Sequence, residues 1–190
     1  GLLDDINEKM TLDFKEAGDE IYLLGSLQND LGCSVYLHEL LGETYSPAPH
    51  FDLDEELALH QLVRSLIKSK LIGSAHDCSE GGLFVTLMEK AFPREIGFEV
   101  SSPERAFDGK PLRLDACWFG ESQGRVVVTV SPPQRAAFLQ HTASGSTPVI
   151  LLGTVGGTIA KIDGQSWGEI KSWKSKYDSA IESTMLMGNS

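Results

Sequence analysis

The sequence predicts an α+β domain in which helices cover a mixed sheet in α/β/α layers. Short apolar runs typical of buried strands alternate with amphipathic helical patterns along the whole chain. The chain has 190 residues, 41% of them hydrophobic and 23% charged, which is enough for one good-sized domain with a tail. We place the domain at residues 21–170, after a linker or the end of a preceding domain at 1–20 and before a helical tail at 171–190.

The first predicted elements are a strand, a short helix and a long helix. Residues 20–26 are an apolar run closed by glycine, as expected of a buried strand. Residues 32–42 fit a short helix, and the prolines of 46–52 then require a loop. The clearest helix covers 52–73 and carries one apolar stripe, formed by Leu59, Leu62, Val63, Leu66 and Ile67.

The remaining elements alternate in the same way. A strand at 71–77 precedes a helix at 80–92, whose inward residues are predicted to be Leu83, Phe84, Leu87, Met88 and Ala91. The elements predicted after this helix are a strand at 96–101, a short helix at 111–120, a buried strand at 125–130, a helix at 132–142 and strands at 148–157 and 158–164.

Charge and cysteine content exclude several classes of protein. The net charge of −11 argues against nucleic acid or an anionic membrane as a partner. No apolar run approaches the roughly 20 residues of a membrane span, and the first residues lack the basic region of a signal peptide. The chain starts on glycine, as expected of a piece of a longer protein. Three cysteines without C-x-x-C spacing favour reduced, buried thiols in the cytoplasm: Cys33, Cys78 and Cys117.

The stretch 76–82, HDCSEGG, is the first candidate site. It places Asp77 at a strand end, Ser79 at a predicted helix N-cap and two glycines in the first helical turn. Glycines there let an anion approach unpaired backbone N–H groups, and a neighbouring carboxylate suits Mg²⁺ carried in with a phosphate. The alternative is a capped helix whose glycines permit tight packing, and composition alone leaves both open.

The second candidate site is the loop 119–125, FGESQGR, just before the strand at 125–130. Arg125 suits a phosphate, and Gln123 or Glu121 suits substrate hydroxyls. The alternative is a solvated turn.

Together these stretches resemble a known family. Residues 74–92 and 114–130 carry the motifs D-x-S-[DE]-G-G-L and F-G-E-S-Q-x-R, and they are similar to the carboxy-terminal half of the phosphoribosylformylglycinamidine synthase family. The resemblance covers roughly residues 12–160. It implies a PurM-like C-terminal domain from the second half of a two-half enzyme, with the end of a preceding ATP-binding domain at 1–20.

The resemblance also implies a reaction. The family converts formylglycinamide ribonucleotide, ATP and glutamine-derived ammonia to formylglycinamidine ribonucleotide, ADP and phosphate. ATP and Mg²⁺ are the implied cofactors, and the implied partners are the remaining domains of the synthase, a glutaminase subunit or domain and the ribonucleotide substrate. Asp77 matches a metal ligand, and the implied contacts to nucleotide or phosphate are Ser79, Glu80, Gly81, Gly82 and His76. The implied substrate contacts are Glu121, Ser122, Gln123 and Arg125.

Other interpretations stay open at this point. The second half of the enzyme can instead be a structural half that holds a nucleotide without turnover, and the isolated fragment is expected to be inactive. One departure favours the structural half. Where relatives have F-G-G-S-E, this chain has LGCSV, with Cys33 in place of a glycine and Val35 in place of an acid. A selenophosphate synthetase or thiamine-phosphate kinase relative is the third possibility, and the E-S-Q-G-R loop speaks against it.

Overall fold

The computed structural model describes residues 5–6 and 9–187. The strands are β1 (Glu20–Leu24), β2 (Ser74–Asp77), β3 (Phe98–Val100), β4 (Val126–Val130), β5 (Val149–Val155), β6 (Ile159–Ile162) and β7 (Gln165–Glu169). The helices are α1 (Leu53–Lys68), α2 (Gly82–Ala91), α3 (Leu114–Phe119), α4 (Arg135–Thr142) and α5 (Ile170–Met187). Within the described residues, no helix is both long and apolar enough to cross a membrane.

The strands form one mixed sheet in the order β2-β4-β1-β5-β3-β6-β7. All neighbouring strands are antiparallel except β3 and β6, which run parallel with Phe98 opposite Ala160. β1 lies near the centre of the sheet, and the strand that follows it in the sequence, β2, does not pair with it. The fold therefore depends on pairings between distant parts of the chain.

Hydrophobic cores lie on both faces of the sheet. Successive side chains of a strand point to opposite faces, and β1 shows this directly. Ile21 and Leu23 belong to the core beneath α2, α3 and α5, whereas Tyr22 and Leu24 belong to the core beneath α1 and α4. Because both faces of β1 are apolar, helices cover both faces of the sheet. This gives the predicted α/β/α layers, and the α+β fold class is confirmed.

Several element predictions are confirmed and others are wrong in their bounds. Strands occur within 20–26, 71–77, 96–101, 125–130, 148–157 and 158–164, and α5 corresponds to the helical pattern of the tail. The helix predicted at 32–42 is only one π-type turn, Tyr36–Leu40. The helix predicted at 52–73 ends at Lys68, because the chain turns there to enter β2. β7 was not predicted at all.

The cysteines also need a correction. All three are free thiols, but only Cys117 is buried, Cys78 is partly buried and Cys33 is exposed. The prediction of three buried cysteines is therefore wrong for Cys33, which lies in the loop before the π-type turn.

Candidate functional site

The two candidate stretches meet at one end of the sheet. β2 and β4 pair antiparallel with Asp77 opposite Val126, so the turn that follows β2 lies beside the loop that precedes β4. The backbone N–H of Cys78 donates to the carbonyl of Arg125 at 2.9 Å and joins the two segments directly. This arrangement brings the residues of both sequence motifs into one neighbourhood.

The double glycine begins α2 in an unusual conformation. Gly81 is the N-cap with φ +80°, and Gly82 follows with φ +67°, a region that favours glycine. A Cβ on Gly82 would lie 2.6 Å from the carbonyl oxygen of Gly120. Close packing of α2 on the chain after α3 therefore requires a glycine at this position.

Ser79 is not the N-cap that the sequence predicted. Its carbonyl oxygen accepts a hydrogen bond from the N–H of Gly82 at 3.0 Å, and α2 begins at Gly82. The chain needs one more turn before the helix because the two glycines adopt left-handed φ values. The side chains of Ser79 and Glu80 are left exposed to solvent.

Glu121 binds the backbone at the start of α2. Its Oε1 accepts hydrogen bonds from the N–H of Gly81 and from the N–H of Val35, both at 2.9 Å. A carboxylate at a helix N-terminus is favoured by the helix dipole. The backbone amide that the sequence motif predicts for a phosphate is thus bonded to a side chain of this protein.

Arg125 lies inside the loop rather than at its surface. The residue is 2% exposed, its Nε donates to the carbonyl of Ser122 at 3.0 Å, and its guanidinium also donates to the carbonyl of Gly120. The expectation that Arg125 reaches a phosphate is not supported, because these bonds direct the guanidinium into the protein. Ser122 is likewise only 3% exposed.

Gln123 faces a different direction from Glu121. It is exposed and lines a small hollow with His50, which precedes α1, and with Glu55 and Glu56 in the first turn of α1. The N-terminus of α1 is capped by Asp52, whose carboxylate accepts from the N–H groups of the next turn. The E-S-Q triplet is therefore divided between the starts of two helices.

Asp77 presents a free carboxylate at the end of β2. Its side chain is 77% exposed, and Nδ1 of His76 lies 3.5 Å from Asp77 Oδ1. Within the described residues, no three His, Cys, Asp or Glu side chains are grouped closely enough to hold a metal ion. One carboxylate fits Mg²⁺ that keeps its waters and takes further ligands from phosphates, which is how this ion is usually bound.

His76 is held by a second acid that the sequence analysis missed. Its Nε2 lies 2.8 Å from Oε2 of Glu89, and its side chain is only 15% exposed. Glu89 lies three residues, less than one turn, after the buried Thr86 on α2, and a half-buried acid in this helix was the available signal.

Lys90 is the second residue that the sequence analysis missed. It is fully buried, and its Nζ donates to the carbonyl of Leu12 at 2.8 Å, Oγ of Ser74 at 2.9 Å and the carbonyl of Val127 at 3.3 Å. Burial lowers the pKa of this ammonium to about 7, and the charge of Lys15 acts in the same direction. Its position on the apolar face of α2, between Leu87 and Ala91, was the available signal.

The domain is of the α+β class, with a mixed sheet between two helical layers. The glycine-led helix α2 and the polar loop 119–125 meet at one end of the sheet and form a polar site there. The chain belongs to the family described as AIR synthase related protein, C-terminal domain, whose model matches residues 16–161.

Relatives in sequence are subunits of a much longer protein. Residues of this chain are 39% identical over 159 positions to phosphoribosylformylglycinamidine synthase subunit PurL of Azorhizobium caulinodans, a match that covers 83% of this chain and 21% of that protein. The subunit of the same name from Rhodopseudomonas palustris is 35% identical over 178 positions, covering 94% of this chain and 24% of that protein. The chain thus spans less than a quarter of the length of these relatives.

Solved structures share the fold at low sequence identity. PurL of Thermotoga maritima complexed with FGAR superposes with a TM-score of 0.69 at 18% identity, over 86% of this chain and 29% of that one. HypE of E. coli, a hydrogenase maturation protein, superposes with a TM-score of 0.57 at 20% identity, over 83% of this chain and 51% of that one. Both likenesses concern the fold alone, and they confirm the PurM-like architecture.

Proposed function

We propose that this chain is the carboxy-terminal domain of an ATP-dependent ligase of purine biosynthesis. The ligase would convert formylglycinamide ribonucleotide, ATP and glutamine-derived ammonia to formylglycinamidine ribonucleotide, ADP and phosphate. The observation that carries the proposal is the meeting of both motifs, with Asp77 and the 119–125 loop at the same end of the sheet. The sequence relatives named for this synthase support it.

The chain's own side chains divide the work at this end. Asp77, being exposed, would hold Mg²⁺ together with phosphate oxygens, and the exposed Ser79 and Glu80 flank it on the same turn. When bound, Mg²⁺ neutralises charge on a transferring phosphoryl group. Gln123 offers an exposed amide for a polar substrate, whereas Ser122 and Arg125 maintain the shape of the loop.

A second function is favoured by one specific contact. Glu121 already occupies the Gly81 amide, so a phosphate can use that amide only after the carboxylate moves away. A domain with this arrangement suits a structural half that packs against its sister half and holds a nucleotide without turnover. Nucleotide retention separates the two functions.

The partners and compartment follow from the same proposal. The remaining domains of the synthase would supply most ATP contacts, and a glutaminase subunit or domain would supply ammonia. Among the solved likenesses is a structure named PurLQS from Thermotoga maritima, which supports assembly with further subunits. We expect the enzyme in the cytoplasm and expect no turnover from this chain alone. Ammonia-dependent ADP release by the purified chain would contradict that expectation.

The test is Asp77→Asn in the full-length protein that contains this chain. Ammonia-dependent turnover and tightly bound nucleotide would be measured on the same preparation. Asp108→Asn is the matched control, because Asp108 is an exposed carboxylate paired with Lys110 and lies in neither motif. Turnover reduced by orders of magnitude in Asp77→Asn alone supports the catalytic function. Normal turnover with lost nucleotide supports the structural half, and no change in either quantity refutes both.

A further inference from the structure

The last two elements of the chain lie beyond the residues that the family model matches, although the sequence relatives align with most of the chain. The family match ends at residue 161, whereas β7 and α5 cover 165–187. α5 packs on the domain through residues spaced three and four apart, which lie on one helix face. Ile170 is fully buried, the Trp173 ring lies 5.6 Å from that of Phe84, and the Tyr177 ring lies 5.1 Å from that of Phe92.

Tyr177 connects α5 to the candidate site. Its hydroxyl donates to Oε1 of Glu89 at 2.9 Å, and the other oxygen of the same carboxylate lies 2.8 Å from Nε2 of His76. Nδ1 of His76 in turn lies 3.5 Å from Oδ1 of Asp77. A continuous series of polar contacts therefore runs from α5 to the exposed carboxylate at the end of β2.

The chemistry of these groups fixes the orientation of the imidazole. An ionised carboxylate only accepts hydrogen bonds, so Nε2 of His76 donates its proton to Glu89, and Nδ1, on the other side of the ring, can bond Asp77 only when it is protonated as well. Glu89 is 28% exposed and has several rotamers open to it unless both oxygens are bound. The hydrogen bond from the Tyr177 hydroxyl fixes the second oxygen of Glu89 and so restricts these rotamers.

We propose that Tyr177 is a positioning residue of the Asp77 site, which it orders through Glu89 and His76. The role of Asp77 rests on the proposed function, whereas the ordering of His76 does not. A helix that follows the last residue of the family model thereby orders the motif at the end of β2. Loss of the Tyr177 hydroxyl leaves the ring on Phe92 and frees Glu89, and through it the imidazole.

The first test is performed on the 190-residue chain without ligand. Tyr177→Phe removes one oxygen at a half-exposed position, so the fold is retained. The ¹⁵N and ¹H signals of the His76 ring, assigned by their loss in His76→Gln, report its tautomer. We expect the Nε2-protonated form in the unchanged chain, and shifted, broadened signals in Tyr177→Phe. Ser179→Ala is the matched control, because it removes a hydrogen bond to the Ser175 carbonyl within α5 and leaves Glu89 untouched.

The second test uses the full-length protein and magnesium alone as the titrant. We expect Tyr177→Phe to raise the Mg²⁺ concentration for half-maximal ammonia-dependent turnover several-fold, with Ser179→Ala unchanged. Unchanged His76 signals in Tyr177→Phe overturn the inference. Altered signals in a protein that shows no response to magnesium refute the proposed function while the positioning role stands.

Discussion

The carboxylate of Glu121 accepts a hydrogen bond from the backbone N–H of Gly81 at 2.9 Å, although the two residues are 40 positions apart in the chain. The same oxygen accepts from the N–H of Val35, so one side chain joins three segments at the candidate site. The double glycine therefore serves close packing and a backbone contact within the protein, which offset the helix-forming cost of about 1 kcal/mol per glycine.

Replacing Glu121 with alanine tests this junction. We expect the free energy of unfolding to fall by about 1–2 kcal/mol, because two backbone donors lose a charged acceptor. Amide hydrogen exchange of Val35 and Gly81, followed by NMR, should become faster. Glu121→Gln is the control, since it retains an acceptor oxygen and should show a smaller change. Equal exchange rates at both amides in all three proteins would contradict the assigned contact.

Substitution of Gly82 tests whether crowding or backbone conformation makes the second glycine necessary. The new methyl group of Gly82→Ala would collide with the carbonyl of Gly120. Gly157 is the comparison, because it has nearly the same φ, +68°, and no atom lies near the position of its missing Cβ. Gly157→Ala should cost about 1–2 kcal/mol for the left-handed conformation alone. Gly82→Ala should cost a further 1–3 kcal/mol, roughly, from overpacking. Urea denaturation measures both, and equal losses would mean that crowding at Gly82 is relieved without cost.

Arg125 is expected to affect stability rather than ligand affinity. Arg125→Lys keeps the charge but cannot make both carbonyl contacts, so we expect a loss of about 1–3 kcal/mol in the free energy of unfolding. Arg113→Lys is the control: Arg113 forms an exposed ion pair with Asp115, where changes of about 0–1 kcal/mol are normal. Thermal and urea denaturation of the two variants measure the difference. Similar stabilities would show that the buried guanidinium is not required by the loop.

Much of the fold could be predicted because its core elements carry strong local signals. The stripe from Leu59 to Ile67 and the inward face of α2 are explicit in the sequence, and β1 contains an apolar run from Ile21 to Leu24. β7 has no such signal: QSWGE is almost entirely exposed, and its strand conformation comes from pairing with β6. The parallel pairing of β3 with β6 is likewise a tertiary property that no local pattern encodes.

The candidate site was predictable in its residue types and not in its contacts. The sequence indicates two polar stretches, but no local pattern predicts that β2 pairs with β4 or that Glu121 bonds to the N–H of Gly81. The N-cap prediction for Ser79 was wrong because left-handed glycines delay the helix, and Arg125 was assigned to a ligand because burial cannot be read from a glycine-rich loop. These outcomes all depend on long-range packing.

Replacing Cys33 with glycine should stabilise the protein. Its φ of 57° lies in the left-handed region, which costs a side chain about 1–2 kcal/mol. Cys33→Gly relieves this cost and retains the N–H donated to Ser46 Oγ at 2.7 Å, but it also adds freedom to the unfolded chain. We expect a net gain of up to about 1 kcal/mol in urea denaturation. Cys33→Ala is the control and should show no gain, because alanine keeps the unfavourable φ; a loss in Cys33→Gly would show that the thiol contributes more than the strain.

Lys90 should make the stability of the domain depend on pH. Burial lowers its pKa from 10.5 to about 7, so between these values the unfolded chain holds a proton that the folded chain has released. Raising the pH therefore favours the folded state, by up to about 1.4 kcal/mol per pH unit from this residue. The stability that Lys90 contributes is fully present above its unfolded pKa and is lost as the pH falls through its folded pKa.

Lys90→Met isolates that contribution, because methionine has a similar length and no charge in either state. The substitution removes the amine and leaves the carbonyl of Leu12 and Oγ of Ser74 without this donor. The variant should therefore be less stable at every pH. The informative quantity is the difference in free energy of unfolding between the two proteins, which should widen from about pH 7 to about pH 9. Lys174→Met is the control, since Lys174 pairs with Asp178 on the surface of α5 and should give a difference independent of pH. A constant difference for Lys90→Met would mean that the folded protein keeps Lys90 charged, with its three oxygen acceptors outweighing the cost of burial.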